Sequence, residues 1–201
     1  YVLPHNQGKE KKQAAYEVAD VPDAAYPDGK LADLAVKTLE NLKKDGGPFF
    51  LAVGFFKPHL PFNAPKKYWD LYDRAAFGLP ESVREPVRLS PKIALHSHRE
   101  LGGYKDVPKD EDLDEEQSRL LRHGYYACVS YVDAQVGRVL DALKRLGLEQ
   151  NTIVVIWGDH GFTLGETSRW CKATNFELDT RVPLLIRTPD LQHPGVATDS
   201  L

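Results

Sequence analysis

The sequence contains no methionine and only two cysteines, Cys128 and Cys171. Two thiols cannot form the disulfide framework of a small secreted scaffold. Cys128 lies on the apolar face of a predicted helix and is expected to be a small buried side chain. Cys171 has no pattern of histidine and asparagine around it, so no catalytic thiol is expected there. The absence of methionine is compatible with a chain cut from a longer one.

Membrane and nucleic-acid functions are disfavoured by further absences. No apolar run reaches the roughly 18 residues that a membrane helix requires, and no signal-peptide pattern opens the chain. The 26 Lys and Arg residues are dispersed and are outnumbered by 29 Asp and Glu, so the formal net charge is −3. This balance argues against a nucleic-acid-binding surface. With 201 residues, of which 42% are hydrophobic, the chain can form one domain or a large part of one.

Apolar periodicity predicts helices that alternate with strands, in an α/β sheet of the βαβ kind. Residues 1–29 are polar and predict irregular structure. Residues 30–62 predict a helix capped by Asp28, then a buried strand at 49–54, then a turn that contains a histidine. Residues 63–113 are rich in proline and charge, and they predict a long excursion over the surface.

Residues 114–190 predict the longest helix and two strands. Asp114 and Gln117 form a capping box that opens the helix. Apolar runs at 152–157 and 182–187 predict strands, and the first of these has no polar alternation. That pattern is typical of a strand buried on both faces.

A candidate metal site follows the strand at 152–157. Asp159 and His160 come directly after it, between Gly158 and Gly161. Ligands of α/β sheets bind at the carboxyl ends of strands, and the two glycines allow the turn that would bring both side chains to one ion. We therefore predict a hard-cation site. The alternative is that Asp159 caps a turn while His160 hydrogen-bonds within the core.

A second group of polar residues follows the strand at 49–54. Pro58 and Pro61 restrict the backbone around His59, and a rigidly held histidine can act as a general acid. The alternative is a packed turn histidine. Lys57 and Lys172, taken alone, are typical of solvated charges.

Together these groups suit the hydrolysis of a sulfate or phosphate ester. A cation and a lysine would neutralise the ester oxygens, while a histidine would protonate the departing oxygen. His96 and His98 have a spacing that a metal can use, but we interpret them as loop residues with a part in substrate contact. A nucleophile is missing from the set.

Five stretches carry a resemblance to a known family: Pro-Phe-Phe-Leu-Ala-Val-Gly at 48–54, Lys-Pro-His-Leu-Pro-Phe at 57–62, Ser-Tyr-Val-Asp-Ala-Gln-Val-Gly-Arg at 130–138, Asp-His-Gly-Phe-Thr-Leu-Gly-Glu at 159–166, and Trp-Cys-Lys-Ala-Thr-Asn-Phe-Glu at 170–177. In order and spacing they resemble the type I, formylglycine-dependent sulfatases of the alkaline-phosphatase superfamily, in particular the branch of iduronate-2-sulfatase and its bacterial relatives. The resemblance covers roughly residues 30–190.

This resemblance implies an α/β fold with a mixed, largely parallel sheet sandwiched between helices. It also implies roles for individual residues. Asp159 and His160 would be ligands of Ca²⁺, Lys172 would bind a sulfate oxygen, and His59 would face the ester as the acid. Phe162 would line the sugar pocket. Further substrate contacts are assigned to Lys57, His96 and His98.

Parts of the family pattern are absent from the chain. The formylglycine nucleophile is made from a Cys-X-Pro-X-Arg motif, which does not occur here, and neither does the aspartate pair that completes the calcium site. We therefore expect residues 1–201 to be the central part of a sulfatase catalytic domain. Its partners would be the missing N- and C-terminal parts, and the chain alone would be inactive. Residues 165–168 read Gly-Glu-Thr-Ser, where the family usually has Gly-Glu-His-Gly.

The expected function is a sulfuric ester hydrolase, exo-acting on sulfated sugars such as the 2-O-sulfo-iduronate of glycosaminoglycans. Alternatives are a phosphodiesterase or phosphonate monoester hydrolase of the same superfamily, a non-catalytic carbohydrate-binding relative, or an unrelated α/β domain. Family members are mostly lysosomal, periplasmic or secreted. No nucleic acid and no membrane span are expected.

Overall fold

The computed structural model describes residues 13–79, 100–109, 113–190 and 195–197. The helices are α1 (Pro27–Asp45), α2 (Lys66–Trp69), α3 (Glu115–Arg145) and α4 (Glu177–Thr180), and the strands are β1 (Tyr16–Ala19), β2 (Phe62–Pro65), β3 (Val154–Trp157), β4 (Thr163–Leu164), β5 (Trp170–Cys171) and β6 (Leu184–Arg187). None of the helices in these ranges has the length and apolar character of a membrane span.

The two long helices confirm the prediction from periodicity, and their ends follow helix chemistry. Pro27 is the first residue of α1, a position where its missing N–H would have no helical partner. Gly46 ends α1 in the left-handed conformation, with φ 71°. α3 opens on the predicted capping box, because the Asp114 side chain accepts from the Gln117 amide while the Gln117 side chain accepts from the Asp114 amide.

The core has two parts. In the smaller one, Leu39 of α1 is buried with Ala142 and Leu143 of α3, and Leu51 and Val154 pack against them.

The larger part surrounds β2, α2 and the middle of α3. There, Gly124 of α3 lets the Trp69 ring approach the helix, since a Cβ at this position would lie 2.8 Å from the indole.

The strands form three two-stranded pairs. β1 and β2 are parallel and are connected through α1, which makes a βαβ unit. β3 pairs with β6 and β4 pairs with β5, both antiparallel. The α/β class is confirmed. The predicted mixed and largely parallel sheet is not continuous among the described residues, where parallel pairing is confined to β1 and β2.

Two predicted strands differ from the structure. Residues 49–54 make no strand ladder with the described residues, and Phe50 is 93% exposed. β3 is not buried on both faces, because Trp157 is 65% exposed and its cross-strand partner Leu184 is 63% exposed. Successive residues of a strand point to opposite faces, and one face of β3 packs through Val154 on the helices. The opposite face is an open apolar surface.

Three segments are more ordered than predicted. β1 lies within residues 1–29, where irregular structure was expected. The stretch predicted as a surface excursion, residues 63–113, begins with the fully buried β2 and with the buried Tyr68 and Trp69 of α2. Asp28 was predicted to cap α1, but the helix starts before it and its carboxylate bonds elsewhere.

Candidate active site

His59 lies on the turn that leads into β2. Both proline peptide bonds of this turn, Lys57–Pro58 and Leu60–Pro61, are cis. The Nδ1 atom of His59 lies 2.8 Å from the carbonyl oxygen of Leu60. Because a carbonyl oxygen only accepts hydrogen bonds, Nδ1 carries the proton, and Nε2 of the neutral ring presents a lone pair. The turn therefore selects the tautomer of His59.

Lys172 follows β5 in a backbone of unusual conformation. Its neighbours Cys171 and Ala173 have φ values of 73° and 86°, in the left-handed region that residues with a Cβ disfavour. The Lys172 Nζ lies 2.7 Å from Nε2 of His59, although the two residues are 113 positions apart. An ammonium group has no acceptor, so Lys172 donates to Nε2. Backbone strain of this kind is frequent at functional sites.

A carboxylate joins these two side chains. Oε2 of Glu100 lies 2.8 Å from Nζ of Lys172, and Oε1 lies 3.2 Å from Nε2 of His59. When Nε2 carries a proton, His59 donates to Glu100 instead of accepting from Lys172. The side chains of Lys172 and Glu100 are only 21% and 34% exposed, so an anion is held here in a partly shielded place.

Asp159 and His160 follow β3, as predicted, and lie next to this group. The ring centroids of His59 and His160 are 6.3 Å apart. Nδ1 of His160 lies 2.8 Å from the Gly161 carbonyl, so Nδ1 is protonated and Nε2 is the ring's donor atom for a metal. That Nε2 lies 3.9 Å from Oδ2 of Asp159, whose side chain is 87% exposed.

The two glycines that flank the Asp-His pair are hydrogen-bonded to α4 and to the residue that precedes β6. The Gly158 amide donates to the Pro183 carbonyl (3.2 Å), and the Gly161 amide donates to the Asp179 carbonyl (2.8 Å). A Cβ at Gly161 would lie 1.9 Å from the carbonyl oxygen of Leu178. Glycine is therefore required at 161 by the close approach of two backbones, which gives the loop a defined position.

The Asp-His pair presents two atoms that a cation can use. Neighbouring ligands of one Ca²⁺, each about 2.4 Å from the ion, lie roughly 2.8–3.4 Å apart at the angles of about 70–90° that six- to eightfold coordination requires, so the 3.9 Å between Nε2 of His160 and Oδ2 of Asp159 is somewhat wider than in a bound pair. Ca²⁺ takes about six to eight ligands, and no cluster of three or more His, Cys, Asp or Glu side chains suited to a metal occurs among the described residues. The pair would supply two ligands of such a site.

Other predicted site residues are placed differently. The Lys57 ammonium donates to the carbonyls of His59 (2.9 Å) and Pro61 (2.5 Å), within its own turn. The Phe162 ring packs against Phe62 and Tyr125, with ring centroids 6.0 and 5.4 Å away. The substrate contacts predicted for Lys57 and Phe162 stay predictions. His96 and His98 lie outside the described residues.

Neither thiol has the character of a nucleophile. Cys128 and Cys171 are 0% and 2% exposed, which confirms the buried position predicted for Cys128. Burial raises the pKa of each thiol to about 12, and the thiolate is the reactive form. The geometry agrees with the expectation that Cys171 is not catalytic.

Sequence reasoning missed Glu100 and Asp28. Glu100 stands in a stretch with no periodicity, and nothing in its neighbours distinguishes it from a solvated acid. For Asp28 the sequence indicated only a place at the start of α1, where acidic residues are typical, and gave no sign of its contact with the turn. Its carboxylate is 1% exposed and accepts from the amides of Phe56 and Lys57 at 3.0 and 2.9 Å.

The fold defines a class of protein. The chain superposes on the phosphonate monoester hydrolase of Silicibacter pomeroyi with a TM-score of 0.68 and 26% sequence identity, covering 85% of this chain and 34% of that chain. The structure is thus an α/β fold of the alkaline-phosphatase and sulfatase type.

Sequence comparison assigns the family within that class. A sequence model of the sulfatase family matches residues 3–200, and the chain belongs to the sulfatase family. The iduronate 2-sulfatase of Mus musculus is 39% identical over 184 residues, which cover 89% of this chain and 33% of the relative. The human iduronate 2-sulfatase is 37% identical, over 86% of this chain and 32% of the relative. The chain spans about a third of the length of the curated relatives it matches.

Proposed function

We propose that this chain is the central part of a sulfuric ester hydrolase that removes sulfate from sulfated sugars, exo-acting on groups such as the 2-O-sulfo-iduronate of glycosaminoglycans. One observation carries the proposal: Lys172 and His59 converge on a single anionic group, the Glu100 carboxylate, next to the Asp159–His160 loop. The iduronate 2-sulfatases among its relatives support the sugar class.

His59 is assigned the proton transfer. The departing ester oxygen gains negative charge as the S–O bond breaks, and a protonated Nε2 donates its proton to that oxygen. Nδ1 remains protonated throughout because the Leu60 carbonyl accepts its hydrogen bond. Glu100 lies 3.2 Å from Nε2, where its carboxylate can accept a hydrogen bond from the protonated ring before the proton is delivered.

Lys172 is assigned to the sulfate oxygens. Its ammonium now pairs with the Glu100 carboxylate, and a sulfate oxygen carries charge of the same sign. An incoming sulfate ester therefore replaces Glu100 as the partner of Lys172. A positive charge held against these oxygens, in a site partly shielded from water, lowers the barrier for ester cleavage.

Asp159 and His160 are assigned to Ca²⁺. The cation, when bound, would add positive charge beside the sulfate oxygens. The nucleophile, expected to be formylglycine, and the other calcium ligands would be supplied by the N-terminal part of the sulfatase. The open apolar face of β3 and β6, which includes Trp157 and Leu184, supports burial against further parts of the domain. The chain alone is accordingly expected to be inactive.

A second candidate is a phosphonate monoester hydrolase. It is favoured by the superposition on the Silicibacter pomeroyi enzyme. Lysine and histidine at an anion do not by themselves distinguish sulfur from phosphorus, since both esters present charged tetrahedral oxygens.

The test compares ester classes with the complete protein. Matched aryl sulfate and aryl phosphonate substrates are assayed, together with a disaccharide that ends in 2-O-sulfo-iduronate. We expect a higher kcat/KM for the sulfates. His59→Ala should lower kcat on the sulfates by about 10²-fold, in the range of general acid catalysis. Lys172→Ala should lower kcat/KM by about 10²-fold or more, as loss of an anion-stabilising donor does.

The control is Lys66→Ala, which removes an exposed lysine paired with Asp70 and should leave all rates unchanged. A higher kcat/KM on the phosphonate would establish the second candidate. Full sulfatase activity in Lys172→Ala would refute its role, and aryl sulfate turnover by the 201-residue chain alone would refute the proposed inactivity.

A further inference from the structure

Lys57 was predicted to contact substrate, but it faces the turn that carries His59. Its ammonium donates to the carbonyls of His59 and Pro61, at 2.9 and 2.5 Å. The carbonyl between them, that of Leu60, accepts from Nδ1 of His59 itself. Three successive carbonyls of the turn are therefore each occupied by a side-chain donor. The three carbonyl groups are consecutive in the chain, so a change in the direction of one would also displace the other two.

Asp28 holds the same turn from the side of α1. Its two carboxylate oxygens accept from the consecutive amides of Phe56 and Lys57, at 3.0 and 2.9 Å. The carboxylate is 1% exposed, so both hydrogen bonds are shielded from water and a lost partner would not be replaced. The start of the turn is in this way attached to the first turn of a 19-residue helix.

The two side chains also interact through charge. Burial lowers the pKa of Lys57, while Cys128 and Asp28 raise it. Hydrogen bonds from Lys57 to carbonyls need N–H donors and do not need a charge, and a neutral amine still has the two donors that the two carbonyls accept. Lys57 therefore holds the turn whether or not its amine is protonated.

We propose that Asp28 and Lys57 are positioning residues that keep the His59 imidazole in one orientation and one tautomer. The relation resembles the way groups behind a catalytic or metal-bound histidine fix its ring. Neither residue touches the place where Lys172 and Glu100 meet Nε2. Their value for catalysis rests on the proposed function, in which His59 delivers a proton from Nε2, but the positioning itself is independent of it.

The experiment measures the ring nitrogens of His59 by long-range ¹H–¹⁵N correlation in the complete protein with ¹⁵N-labelled histidine, with His59→Gln to assign the signals. At a pH where the ring is neutral, the unmodified chain should show one protonated nitrogen, Nδ1. In Lys57→Met and in Asp28→Asn the two ¹⁵N shifts should move toward each other, as the ring exchanges between tautomers. His160, whose Nδ1 bonds to Gly161, is the internal reference and should not change.

Matched controls use a lysine and an aspartate that do not touch the turn. Lys66→Met removes the exposed partner of Asp70. Asp33→Asn changes an exposed residue of α1 that pairs with Arg138 of α3. Both should leave His59 as in the unmodified chain. Folded Lys57→Met and Asp28→Asn chains that keep a single Nδ1-protonated His59 would overturn the proposal.

Amide exchange in the unmodified chain is a measurement that does not depend on any variant being folded. In the unmodified chain the amides of Phe56 and Lys57 must be protected from hydrogen exchange, and unprotected amides would overturn the proposal. In Asp28→Asn the Lys57 amide should exchange about tenfold faster or more, because a charged acceptor contributes more than a neutral one. A loss of sulfatase activity is not needed for any of these outcomes, so an error in the proposed function would leave them as stated.

Discussion

Gly161→Ala should disturb the Asp159–His160 loop far more than the equivalent change at Gly158. The new Cβ at 161 would lie 1.9 Å from the Leu178 carbonyl oxygen, whereas at 158 the nearest atom, on Val182, is 3.5 Å away. The first distance is a clash with backbone and the second is an ordinary contact. The two glycines bracket the same pair of residues, so one variant is the control for the other.

The expected size follows from the contacts that must move. The two backbones at 161 and 178 have to separate by about 1 Å or more to restore a normal distance. Overpacking of this kind costs about 1–3 kcal/mol, and the hydrogen bond from the Gly161 amide to Asp179, worth about 1 kcal/mol, would be lost with it. The free energy of unfolding should therefore fall by about 3 kcal/mol, while Gly158→Ala should change it by less than about 0.5 kcal/mol.

Urea denaturation of the 201-residue chain measures both variants. With a slope of about 2 kcal/mol per molar urea, the midpoint of Gly161→Ala should fall by about 1.5 M. The His160 ring signals should shift as well, because the Gly161 carbonyl that accepts from Nδ1 moves with the loop. A Gly161→Ala midpoint within about 0.3 M of that of Gly158→Ala would refute the reasoning that glycine at 161 positions the metal-site loop.

Three further predictions concern stability. Ser168 has φ 56°, so Ser168→Gly should raise the free energy of unfolding by about 1 kcal/mol, and an unchanged urea midpoint would contradict this strain. Asp114→Ala removes the capping box of α3 and should lower the same quantity by about 1 kcal/mol, measured against the exposed change Asp33→Asn. Burial raises the pKa of the Cys128 and Cys171 thiols to about 12 from the ordinary value of 9.0. These thiols ionise first in the unfolded chain, so their contribution is complete below pH 9.0 and is lost as pH rises toward 12. Denaturation at about pH 8 and about pH 10.5 should show a smaller loss in Cys128→Ala than in the unmodified chain, and an equal loss would exclude the thiol as its cause.

Long, regular elements were predictable because their signals are local. α3 carries an apolar stripe over many turns, and its capping box needs only Asp114 and Gln117. The position of Asp159 and His160 after a strand was likewise readable, since the apolar run and the two glycines are contiguous.

Short elements were not predictable for the opposite reason. β2 has four residues and ends in a proline, so its sequence looks like a loop, and it is a strand because β1 lies beside it. The exposure of Trp157 could not be read either. An apolar residue in a strand pattern indicates burial, and whether a given face is covered depends on which elements pack there.

The open face of β3 shows where that dependence matters. Its apolar residues match the prediction of a strand buried on both sides, and the described residues cover one side. The sequence was correct about the apolar chemistry of both faces, and the tertiary structure shows which of the two the described residues cover.

By itself the sequence determined the α/β class, the family resemblance and the residue types of the site, because each of these is carried by contiguous motifs. The meeting of His59, Lys172 and Glu100 was decided by the tertiary structure, since hydrogen-bond distances between residues as far apart as 113 positions depend on how the elements pack. The same holds for Lys57. Its residue type and its place beside His59 agreed with a substrate contact. In the structure its ammonium instead donates to carbonyls of the turn, which is the basis for the positioning role proposed above.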